Sequence, residues 1–145
     1  MIDPNYPTRK AVYSLLTGIT YNSVAVPVYY LEAPTTNTAA NYIVINGISG
    51  NDLRNMNKNA TSNLFSVTIY THQLNTNAGL AKDVIASEVL TRIYPTPSAT
   101  LDLSADNLQN TLIELSGDRE DDYMIRGAEK YIDRTLTFRF HIHQK

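Results

Sequence analysis

The 145-residue sequence has no cysteine, which excludes a disulfide scaffold, a thiolate zinc site and a cysteine nucleophile together. Charge is scarce as well. Charged residues make up 18% of the chain, below the usual share of about a quarter, and Asn, Thr and Ser take up the difference. The formal net charge of −2, with both signs scattered along the chain, creates no field that would gather nucleic acid by its phosphates. Long apolar runs are missing too, since nothing approaches the roughly 18 residues that span a bilayer. Met1-Ile2-Asp3-Pro4-Asn5 carries no basic region followed by an apolar one. The expectation is a soluble protein made in the cytoplasm, without membrane contact. Its length suits one domain around one core that buries roughly two-thirds of the unfolded surface.

Catalytic signatures are missing in the same way. No Gly-x-Ser-x-Gly elbow occurs, Gly47-Ile48-Ser49-Gly50 being one residue short of it, and no Gly-Lys-Ser or Gly-Lys-Thr marks a phosphate loop. His141 and His143 stand two apart and present two imidazoles on one strand face, yet no third ligand accompanies them. They read as structural or solvent-exposed, and His72 as a strand-end residue. The run Asp118-Arg119-Glu120-Asp121-Asp122 has adjacent carboxylates in place of the alternating oxygen ligands, central Gly and final Glu of a calcium loop, so it reads as a solvated acidic loop. Nothing sets two carboxylates in an apolar environment that would split their pKa values. No residue is therefore assigned to catalysis, to a cofactor or to a metal, and a non-enzymatic role is expected.

What is present is periodicity. Thr8 is positioned to cap a short helix through Ala11, Val12, Leu15 and Leu16 that stops at Gly18. Val24 to Leu31 is β-branched and aromatic, but Pro27 has no N–H for a ladder and puts this strand at an edge or bulge. Pro34 to Ala40 reads as a loop, and Tyr42-Ile43-Val44-Ile45 as a strand buried on both faces. Residues 47–63 are polar and Asn-rich and predict a long loop. Phe65, Val67 and Ile69 then alternate with Ser66, Thr68 and Tyr70, a half-buried strand. Asn75-Thr76-Asn77 supplies capping chemistry for a helix from Gly79 to Tyr94 with a stripe at Ala81, Ile85, Val89 and Ile93, flanked by Val84, Ala86 and Leu90. A strand spans Leu108 to Leu115, a turn follows at Ser116-Gly117-Asp118, and the last strand sets Ile132, Leu136, Phe138, Phe140 and Ile142 on one face.

This order, without regular βαβ alternation, predicts a single α+β domain: two helices packed on one face of a mostly antiparallel sheet. Ten tyrosines are the one compositional excess. Without a basic face they read as half-buried sheet residues or contacts to another subunit.

Across almost the whole chain the pattern resembles the tail-completion and tail-terminator proteins of bacteriophages. The resemblance is carried by Ala11-Val12-Tyr13-Ser14-Leu15-Leu16, Val28-Tyr29-Tyr30, Asn41 to Gly47, Phe65 to Thr71, Gly79 with Ala81 and Val84, and Leu136-Thr137-Phe138-Arg139-Phe140. It implies a virion protein of the tail or neck: a ring, typically a homo-hexamer, that caps the tail tube and joins it to the head connector. The alternatives are a neck or adaptor ring of a short-tailed phage, or a non-viral module holding a peptide or carbohydrate. For a ring, Asn51, Asp52, Arg54, Asn55 and Lys58 are expected in an inter-ring contact loop whose ordering entropy only a partner offsets. Deletion of residues 51–60 is then expected to leave a folded subunit. Asp118, Glu120, Asp121 and Asp122 are expected to face a channel and repel passing DNA, which is not specifically bound.

Overall fold

A computed structural model of the chain describes residues 3–55, 58–73, 78–124 and 130–145. Helix α1 (Asn5–Leu16) starts ahead of the expected Thr8 cap. Pro7 sits in its first turn, where a missing N–H costs nothing because that group has no intrahelical acceptor. Asp3 Oδ1 accepts the Asn5 N–H at 3.0 Å, while Thr8 is buried within the helix. Gly18, at φ +95°, ends the helix as expected, in the left-handed region that costs a side chain-bearing residue strain.

Pro27 divides the predicted Val24–Leu31 strand in two. Strand β1 (Thr20–Tyr21) and β2 (Val24–Ala25) form a small antiparallel ribbon. Beyond the proline, β3 (Val28–Tyr30) pairs in parallel with the start of β4 (Asn41–Asn55). Then come β5 (Lys58–Gln73), α2 (Ala78–Ile93), a 3-10 turn (Ser104–Asp106), β6 (Leu108–Met124) and β7 (Lys130–Gln144). The main sheet has the order β3-β4-β5-β7-β6 and is antiparallel except at β3. The α+β class predicted from the element order is the one observed, and β3 lies at the sheet edge where Pro27 requires it.

Two predicted loops are strands. Residues 47–55 and 58–63 continue the β4–β5 hairpin with paired backbones, from Ser49↔Leu64 to Asn55↔Lys58. At the described end of this stretch, burial is polar and small, which leaves no apolar period to read. Ser62 and Asn63 are buried, Ser62 Oγ accepts Arg139 Nη1 at 3.0 Å, and Asn63 Nδ2 donates to Thr61 Oγ1 at 3.1 Å. Ala60 is also buried and pairs with His143, so deletion of residues 51–60 removes part of the sheet and is no longer expected to spare folding. The predicted turn at 116–118 is a bulge between Leu115 and Gly117, and the acidic run continues β6 alongside β7.

The core lies between one sheet face and the helices. Val12 and Leu16 of α1 and Ile85, Val89 and Ile93 of α2 meet Ile43, Ile45, Phe65, Val67, Leu136 and Phe138. Each large side chain buried this way stabilises the fold by roughly 2 kcal/mol. Val84, expected beside the stripe, is 45% exposed, because the α2 contact with the sheet is narrower than its apolar face. The predicted capping residues Asn75, Thr76 and Asn77 lie outside the described residues. Between α2 and β6, Leu101 and Leu103 enter the core. The connector is stapled by buried Asn110, whose Oδ1 accepts the Leu101 N–H at 2.8 Å while Nδ2 donates to the Leu112 and His141 carbonyls at 3.0 and 2.9 Å.

Candidate functional site

The helices cover one face of the sheet and leave the other face and two edges to solvent. On the open face the tyrosines make a transverse row. Tyr29 meets Tyr42 edge-on at 6.1 Å, and Tyr42 stacks on Tyr70 at 5.0 Å. His72 stacks on Tyr131 at 4.1 Å. Burial, with the nearby Asp133 carboxylate second, holds the Tyr42 and Tyr70 phenols above their ordinary range. Beside this row lies a concavity of about 430 Å³ floored by Ser66, Thr68, Thr135 and Thr137 and flanked by Arg119 and Asp121. Thr68 and Thr135 share a hydroxyl hydrogen bond of 3.2 Å.

Strand alternation sends the acidic residues of β6 to both faces, so they do not form the single acidic surface expected of a loop. Asp118 and Glu120 lie on the helix side. Arg134 of β7 donates from Nε and Nη2 to the two Asp118 oxygens at 3.0 and 2.7 Å and from Nη1 to Asp83 of α2 at 3.0 Å. Lys82 Nζ reaches Glu120 Oε2 at 2.8 Å. The Arg134 hydrogen bonds hold the Asp118 carboxyl below the ordinary carboxylate range, and they raise Arg134 in turn. Asp121 faces the open side, opposite Asp133 in register and 3.3 Å from Arg119. Burial first, then the Asp121 charge, pushes Asp133 up. The side chain of Asp122 lies outside the described residues.

Among the contact-loop candidates, Asn51, Asp52, Arg54 and Asn55 occupy β4 and Lys58 opens β5, with backbone pairs Asn51↔Ser62, Asp52↔Thr61, Arg54↔Asn59 and Asn55↔Lys58. They share one hairpin on paired strands, in place of the expected loop. Their side chains lie outside the described residues.

His141 and His143 share the open face through strand alternation. His141 Nε2 lies 3.0 Å from Glu114 Oε2, and among the described residues no group of three or more His, Asp or Glu is arranged to hold a metal. No helix among the described residues is long and apolar enough to cross a membrane.

Two features escaped the sequence reading. One is a groove of about 640 Å³ between α1, the end of α2 and the connector, lined by Ala11, Leu15, Ile93, Pro95 and Leu101 and rimmed by the Lys10–Asp106 ion pair at 3.1 Å. Arg92 holds its walls together, donating from Nη1 to the Leu15 and Thr17 carbonyls, both at 3.0 Å, where a cation complements a helix C-terminus. The other is the extent of sheet edge. Among the described residues, β3 covers β4 only at Ile43–Ile45, leaving its outer side from Asn46 to Asn55 without a strand, and nothing pairs with the outer side of β6. Both features depend on contacts across more than fifty residues, which no local pattern carries.

No protein-family profile matches this chain, and no curated protein matches it. Among solved structures, the fold is similar to that of a chain in the virion of a native gene transfer agent particle. The TM-score is 0.62 at 18% identity, and the match covers 93% of this chain and 93% of the other.

Proposed function

We propose that this chain is a non-enzymatic structural protein of a phage-like virion, a homo-oligomeric ring of six copies at the head–tail junction or tail end. In this reading the ring caps the tail tube and joins it to the head connector. The observation that carries it is the end-to-end likeness of fold to a chain of a gene transfer agent virion. The likeness runs over 93% of each chain, so it involves both helices and the whole main sheet. Fold alone does not fix function, and the second support is the pair of sheet edges left open in the monomer.

With the helices outside, the open sheet face lines the channel. Asp121 and Asp133 on that face repel passing phosphates and keep DNA from sticking, while Asp118 and Glu120 are held in exposed ion pairs on the helix side. The test is immunolabelling of purified particles with an antibody against this chain, read by electron microscopy. Label confined to the head–tail junction or tail end is the expected result. No label on any particle moves the reading to a free binding module, for which the open-face tyrosine row is the feature that stacks a ligand ring.

A further inference from the structure

The rows of the sheet connect its two open edges at matching heights. Ser49 pairs with Leu64, Leu64 with Arg139, and Arg139 with Glu114; Gly50, Asn63, Phe140 and Ile113 form the next row. One end of each row is on β4 and the other on β6. Because β4, β5, β7 and β6 are successively antiparallel, β4 and β6 run in opposite directions. A rotation about an axis along the strands preserves height and direction. It therefore brings the β6 edge of one copy antiparallel to the β4 edge of the next, with no shift along the axis.

We propose that copies of this chain join by strand addition, residues 47–52 of β4 pairing with residues 111–116 of β6 in the neighbouring copy. The inference rests on the ring reading and names the contact that closes the ring. Natural edges are normally protected by Lys, Pro or inward charge, and Asn46-Gly47-Ile48-Ser49-Gly50 has neither charge nor proline. Exposed apolar side chains cluster at these edges and are otherwise unexplained there: Ile48 is 55%, Leu112 40% and Leu115 41% exposed. The limits of the ladder are built in. At Ile45 the edge is taken over by β3, where the Leu31 N–H donates to the Ile45 carbonyl at 3.0 Å. At the same height β6 has its Leu115/Gly117 bulge and β4 its Gly47/Ser49 bulge, so both irregularities fall at the one end of the ladder, next to where β3 takes over the edge. This contact is heterologous and closes into a ring when its rotation does.

A chain without cysteine allows a direct test. Ser49 and Glu114 are both exposed, and within one molecule they are separated by three strand spacings, roughly 14 Å, beyond disulfide reach. The double variant Ser49→Cys/Glu114→Cys, oxidised at high protein concentration, is expected to give a reducible ladder extending past dimer. Ser49→Cys/Leu115→Cys, whose second thiol lies on the opposite face, is expected to give at least fivefold less. No ladder, or equal ladders from both pairs, overturns the pairing. Label at the head–tail junction without a ladder removes this contact and leaves the virion reading standing; a ladder without particle label does the reverse.

Discussion

Arg134 grips Asp118 with two parallel hydrogen bonds, Nε to Oδ1 at 3.0 Å and Nη2 to Oδ2 at 2.7 Å, across the β6–β7 ladder. The same guanidinium ties the sheet to α2 through Asp83 at 3.0 Å. Lysine cannot reproduce a planar fork. Arg134→Lys is expected to lower stability by about 1 kcal/mol, a figure kept small because Asp118 is partly exposed to solvent. Chemical denaturation with an unchanged m-value would register it as a true loss of stability.

The sign of the acid response follows from the same pair. The Asp118 carboxyl is held below its ordinary range by Arg134, so its contribution is complete above the unfolded value of about 3.9 and is lost as pH falls through the depressed folded value. Urea unfolding from pH 5 to pH 2 should therefore show a stability decline in the native chain that is shallower in Asp118→Asn. Equal slopes for the two proteins would remove Asp118 from the acid response.

Asp133 has the opposite sign. Its folded pKa is raised by burial and by Asp121, so the group stabilises below its unfolded value, and that contribution disappears as pH rises through the raised folded value. At neutral pH the ionised pair Asp121–Asp133 stands directly opposite in the ladder, an arrangement that costs about 0.5 kcal/mol. Asp133→Asn is expected to raise the melting temperature at pH 7 by a degree or two for a chain of this size and to have little effect below pH 4. Thermal scans at the two pH values decide it.

The parts of the fold that bury large apolar side chains were legible in the sequence. Phe65, Val67 and Ile69, and Leu136, Phe138 and Phe140, alternate without interruption and are buried; Ala81, Ile85, Val89 and Ile93 repeat at helical spacing and are buried as well. The β4–β5 hairpin was not legible because Ser62 and Asn63 are buried as hydrogen-bonded polar residues, and period-based reading recognises a strand by apolar burial. From Asp118 to Asp121 the acidic run is solvated, as its charge argued, but it is strand and not loop, and two of its members pair on the helix side with Arg134 and Lys82, which come from β7 and α2. Of the sheet edges, only the one at β3, which lies outside the proposed assembly contact, is announced in the sequence, by Pro27. The open lengths of β4 and β6 follow from a strand order set by distant pairings.

Asn110 is the residue on which the β6 edge depends. Buried at the bulge, it accepts the Leu101 N–H and donates to the carbonyls of Leu112 and His141; no apolar side chain of similar size satisfies these backbone groups. Truncation strands the Leu101 N–H and takes a donor from the Leu112 and His141 carbonyls, the second of which keeps the Thr111 hydroxyl at 3.3 Å, so Asn110→Ala is expected to cost about 1–3 kcal/mol. The loss is not uniform through the sheet. The connector carrying Leu101 and Leu103 into the core loses its anchor, and amide exchange in 101–113 should accelerate well before that of β5, which Asn110 does not touch and which keeps its pairing with β4 and β7. If the β6 edge is the assembly contact, a variant that remains folded should also assemble poorly, giving a measurement by sedimentation alongside the exchange experiment. Uniform acceleration across all strands would show that Asn110 serves global stability and has no particular hold on this edge.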